Sequence, residues 1–82
     1  MQREEVYNKF IPLIRPYCKN TEALENVNGD TKILADLGVN SARLVDIIIA
    51  VEDEFDIEVE DEAADKVVTI NDAVSMIEQK IQ

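Results

Sequence analysis

The 82-residue chain contains no histidine and no tryptophan, one cysteine, two glycines and two prolines. Each shortage removes a class of chemistry. Without histidine there is no imidazole to act as a general base or bind a metal. A lone cysteine, Cys18, can form neither an internal disulfide nor a thiolate cage, and near Arg15 and Lys19 it reads as a structural residue at a helix end. No run of 18 apolar residues is present to cross a membrane. The amino end lacks the basic-then-apolar pattern of a secretory signal, so a cytoplasmic location is expected. Few glycines and no low-complexity tract point to a compact helical chain. Basic residues are also short, eight against eighteen acidic for a net charge of −10, which excludes nucleic acid as an expected partner.

What charge there is lies unevenly. Residues 1–20 hold four basic and two acidic side chains (net +2), whereas residues 21–82 hold four basic and sixteen acidic ones (net −12). An acidic excess can serve solubility alone, but its segregation suits partners with basic surfaces. The densest stretch, Asp53 to Asp65, lacks the alternating ligands and central glycine of a calcium loop, so no metal site is expected. The length sets one small domain over residues 1–82, burying roughly 60% of its unfolded surface, and a monomer is expected.

Apolar spacing predicts four helices and no strand. The first covers about Arg3 to Tyr17, with Val6, Phe10, Leu13, Ile14 and Tyr17 on one face. Pro12 should kink or break it, and Pro16 should end it. Residues 18–40 form a long connection that must pack through Leu24, Val27, Ile33, Leu34, Leu37 and Val39, with one helical turn around Thr21 to Glu25 and a glycine turn at Gly38. The second helix runs from about Ser41 to Phe55, a short third lies around Asp61 to Lys66, and the last spans about Asn71 to Ile81, capped by Thr69 or Asn71. Val67 to Ile70 have β character but read as an apolar connector without a pairing partner.

The second helix has two faces. Leu44, Ile47, Ile48, Val51 and Phe55 make a core stripe. At about 100° per residue, Ala42, Val45 and Ile49 fall well away from it, beside Asp46 and Asp53. Neither a helix buried all round nor a plain solvent face accounts for that mixture. Glu52, Asp53 and Glu54 also crowd the carboxyl end, where the helix dipole disfavours anions by about 0.3–1 kcal/mol each, a broken local rule that hints at function. Ser41, in the first turn, is by itself an ordinary candidate to cap a free backbone N–H.

The stretch "DLGVNSARLVDIIIAVEDEFDIEVEDEAADKVVTINDAV", Asp36 to Val74, joins an Asp-Leu-Gly before the serine to a Glu-Phe-Asp-Ile after the helix. It resembles the acyl carrier protein family, and the likeness extends over nearly the whole chain. The resemblance implies an all-α fold, a small four-helix bundle with a long first loop and a short third helix. It also implies a covalent 4′-phosphopantetheine arm on Ser41, attached by a separate phosphopantetheinyl transferase using coenzyme A. The chain would then be a carrier and not an enzyme, holding acyl groups as thioesters for fatty acid synthesis or a specialised acyl pathway. Its implied partners are acyl-loading and acyl-processing enzymes whose basic patches meet Asp46 and Asp53, with Ala42, Val45 and Ile49 as apolar contacts.

Three positions depart from the family pattern: Asn40 replaces an aspartate, Ala42 a leucine, and Arg43 a residue that is commonly acidic. Asn40 keeps the capacity to cap. Arg43 has two readings, a partner for the arm's phosphate or a group that repels basic partners. An aminoacyl or peptidyl carrier shares every argument about Ser41, and an unmodified binding module of the same fold is the other alternative.

Overall fold

In a computed structural model, which describes residues 2–81, helix α1 (Arg3–Ile14) buries Val6, Phe10 and Ile14 along one face. The break allowed for at Pro12 does not occur, and the helix continues through it. Proline removes only its own bond to the carbonyl of Asn8, and both residues are on the exposed side, where water can solvate that carbonyl. Pro16 does end the regular helix. The chain tightens there into a single 3-10 turn, Arg15–Tyr17. Cys18 follows, buried, with its thiol donating to the Ile14 carbonyl at 3.2 Å. Burial pushes its pKa up, opposed only in part by Arg15, so the thiol is the inert structural group expected.

The long connection is anchored as its sequence requires. Leu24, Ile33, Leu37 and Val39 are buried and Val27 packs against them, whereas Leu34 turns outward. The expected helical turn is a helix in its own right, α2 (Thr21–Glu25), capped by the Asn20 side chain, which accepts from the Ala23 N–H at 3.0 Å. Helix α3 (Ser41–Phe55) buries Ile47, Val51 and Phe55. Leu44 and Ile48, two members of the expected stripe, stay partly exposed. Helix α4 (Asp61–Asp65) is short, and α5 (Ile70–Ile81) starts one residue earlier than expected. Among the described residues the bundle therefore has the four expected helices plus α2.

The connector before α5 corrects the sequence reading, because Val67 to Ile70 do have a pairing partner. Lys32 and Thr69 form an antiparallel bridge, the Ile33 N–H donates to the Val68 carbonyl at 2.9 Å, and the Ile70 N–H donates to the Thr31 carbonyl at 3.0 Å. Val67 and Ile70 enter the core while Val68 points out. Beside this joint a Cβ on Gly29 would lie 2.4 Å from the Asn71 side chain, so any larger residue there would have to displace that side chain. The Arg3 guanidinium meets Glu78, Ser75 and Asn71, tying the start of α1 to α5, and Lys80 pairs with Glu60 at the entry to α4.

The acidic end of α3 is partly accounted for by its loop. Asp56 closes the helix in the left-handed region (φ 54°), with its N–H and that of Ile57 donating to the Glu52 carbonyl. The Glu52 carboxylate then accepts the Val59 N–H at 3.0 Å. Asp53 and Glu54 remain exposed.

Candidate functional site

Asn40, with extended backbone, caps α3: its side-chain oxygen accepts from the Ala42 N–H at 2.8 Å, and its carbonyl accepts from the Arg43 and Leu44 N–H groups. Ser41 is thus the first helical residue and not the cap, because the shorter reach to Ala42 is taken by the asparagine before it. Among the described residues neither the hydroxyl nor the N–H of Ser41 has a hydrogen-bond partner. A free N–H at the positive end of a 15-residue helix favours an anion there.

A groove of about 700 Å³ opens beside this serine. Ser41, Leu44, Val45 and Ile48 of α3 line one wall, Leu34 and Lys32 come from the long connection, and Ala64 and Val68 come from α4 and the segment after it. This explains why Leu44 and Ile48 are not fully covered and why Leu34 and Val68 face outward. Sequence periodicity missed the walls outside α3. The signal available was the β-branched run Val67 to Ile70, whose partner lies more than thirty residues away in the chain.

The outer face of α3 carries the remaining predicted residues. Val45 and Ile49 are 60% and 52% exposed, large values for apolar side chains. Ala42 and Asp53 are exposed, and Asp46 is half-exposed. Asp46 and Asp53 lie about 700° apart along the helix, nearly two full turns, with Ile49 between them. Arg43 reaches back to Asp46 at 3.4 Å on the same exposed surface. Ser41 and Arg43 are about 200° apart around the axis, and they border different depressions. Of the two readings of Arg43, pairing with a phosphate on Ser41 is the one this geometry disfavours.

The chemistry open to this site is limited. An exposed primary alcohol with no imidazole in the chain and no carboxylate bonded to it is not activated as a nucleophile. It can receive a group, and the neighbouring N–H, the positive helix end and the apolar groove fit a phosphodiester with an organic chain attached. Among the described residues no cluster of side chains could hold a metal ion, and no helix is long and apolar enough to cross a membrane.

Residues 18–77 match the sequence family described as "Phosphopantetheine attachment site". The chain is 32% identical over 79 residues to the mitochondrial acyl carrier protein of Saccharomyces cerevisiae, covering 94% of this chain and 63% of that protein, so it spans less than two thirds of that relative. It is 38% identical over 80 residues to an acyl carrier protein of Prochlorococcus marinus, covering 98% of each. With an acyl carrier protein of Lactobacillus acidophilus it shares 38% over 78 residues, 94% of each.

Proposed function

We propose, from the premise that this chain belongs to the phosphopantetheine-attachment family of acyl carrier proteins, that Ser41 is the serine carrying its 4′-phosphopantetheine arm. The observation that carries the assignment is the unpartnered Ser41 hydroxyl and N–H at the head of α3, beside an apolar groove. When bound, the arm supplies the thiol on which an acyl group is held as a thioester. Ser41 supplies the oxygen of the phosphodiester, the start of α3 supplies a positive environment for it, and Leu44, Ile48, Leu34 and Val68 offer apolar surface along which an acyl chain can withdraw from water. The base that removes the Ser41 proton must come from a separate transferase, because the chain has no histidine and Ser41 bonds no carboxylate. The chain works as one carrier unit over residues 1–82 and leaves all bond-making to other enzymes.

Those enzymes meet the outer face of α3. Val45, Ile49 and Ala42 provide apolar contact, and Asp46 and Asp53 draw in a basic patch, chiefly by speeding encounter and setting orientation. A free, buried thiol at Cys18 suits a reducing compartment such as the cytoplasm. The test is the mass of the chain after incubation with coenzyme A and a broad-specificity phosphopantetheinyl transferase. One arm should be gained, and none by Ser41→Ala. An arm mapped instead to Ser75, whose hydroxyl accepts from Arg3, would overturn the site.

A further inference from the structure

On the side of α3 away from the serine's groove lies a second depression of about 650 Å³, between the 3-10 turn and the first turns of α3. Tyr17 and Lys19 form part of one wall, and Ala42, Arg43 and Asp46 form the other. We propose that this depression is a second contact of the docking face and seats an acidic side chain of the enzyme that docks at Ser41, held between Arg43 and Lys19. The proposal rests on the assignment of Ser41 and of the α3 face made above.

Folding does not explain Arg43. It stands in the first turn of α3, where the helix dipole favours anions, and that turn contains no acidic residue. Its one ion pair among the described residues, with Asp46 at 3.4 Å, joins side chains that are 63% and 48% exposed, a geometry that contributes little. Lys19, across the depression, makes no ion pair among the described residues. A guanidinium with fork geometry and an ammonium lining the same depression is an arrangement a carboxylate can satisfy. Lys19 belongs to residues 1–20, which carry net +2, whereas Arg43 is one of only four cations in the rest, which carries net −12. The docking face is therefore two-signed, with acids at Asp46 and Asp53 and cations at Arg43 and Lys19. Such a face fixes register and rejects enzymes that present only basic residues.

The test is loading of the intact chain by the phosphopantetheinyl transferase of its own host, read as kcat and KM separately. Arg43→Glu should raise KM about tenfold and Arg43→Gln about threefold, with kcat changed less than about twofold. Lys19→Glu should act like Arg43→Glu, and Lys66→Glu, outside the depression, should leave KM unchanged. Thermal melts of each variant keep a folding defect separate. Carbodiimide coupling should also join Lys19 to an aspartate or glutamate of the transferase. An unchanged or lowered KM for Arg43→Glu overturns the proposal. So does a phosphorus NMR shift of the loaded chain that moves in Arg43→Gln while KM does not, which would assign Arg43 to the arm. Failure of the native chain to load at Ser41 is a different result and would sink the site itself.

Discussion

The amino ends of α3 and α5 solve one local problem in opposite ways. At α5 all four leading N–H groups are satisfied: Ile70 by the Thr31 carbonyl, Asn71 by the Gly29 carbonyl, Asp72 by the Thr69 hydroxyl and Ala73 by the Thr69 carbonyl. The Asp72 carboxylate returns the bond to the Thr69 and Val68 N–H groups, completing a reciprocal cap. At α3 the Asn40 cap stands alone, the third helical residue is a cation instead of an acid, and among the described residues Ser41 keeps a free N–H and a free hydroxyl. One end is closed by the fold. The other keeps hydrogen-bonding capacity in reserve, and it does so beside a groove, where a ligand can use it.

The contrast extends down the helices, because the face below the open end of α3 is exposed and the inner face of α5 is buried. Reversing Asp46→Lys together with Asp53→Lys should give the largest effect, a fall in the second-order loading rate on the order of tenfold or more at low salt, fading as salt is added. Glu22→Lys with Glu25→Lys, the same charge change on α2, should alter it by less than about threefold. Equal effects would reduce the acidic face to bulk charge.

Next in size is opening the closed end. Asp72→Ala leaves two N–H groups without their acceptor and should lose about 1–2 kcal/mol of stability. In a melt each kcal/mol lowers Tm by about 4–8 °C for a chain this small. The backbone bonds from Thr69 and Val68 hold the Asp72 carboxyl below its usual pKa. Its contribution is therefore complete above the unfolded value near pH 4 and disappears as the pH drops through the lower folded value. Wild type and Asp72→Ala should converge in strong acid, and a difference that persists there would assign the stabilisation to something other than the carboxylate.

Smaller still, Asn40→Ala should cost about 1 kcal/mol, whereas Ser41→Ala should stay within about 0.5 kcal/mol, since the asparagine and not the serine is the cap. A reversed order in chemical denaturation would make Ser41 structural and blur its use as a clean loading mutant. The smallest change is a gain. Arg43→Glu supplies the acid that the first turn of α3 lacks and should stabilise the chain by about 0.3–1 kcal/mol, while the docking proposal expects the same substitution to raise KM for loading.

Much of the candidate site was legible because it depends on one helix. The periodicity of residues 41–55 separates a core stripe from an outer face, so Asp46, Ile49 and Asp53 could be grouped by angle alone, and Asn40-Ser41 marks where that helix begins. Chain-local rules also placed Gly38, Thr69 and the end of α1 at Pro16. They allowed for a kink or a break at Pro12, and the break does not occur, because whether a helix survives a proline depends on what covers it and whether the freed carbonyl meets water.

By itself the sequence determined the helices, their buried stripes, the charge segregation and the candidate serine, all of which follow from spacing within about fifteen residues. Only the tertiary structure decided that Thr31 and Ile33 pair with Val68 and Ile70, that Leu34 and Val68 become groove walls, that α5 is sealed by Gly29 and Thr31, and that Lys19 and Arg43 line one depression. Those outcomes join segments far apart in the chain. Backbone pairing of that kind depends on how the helices pack and uses groups every residue possesses, so the β-branched run Val67 to Ile70 could suggest pairing but not name its partner.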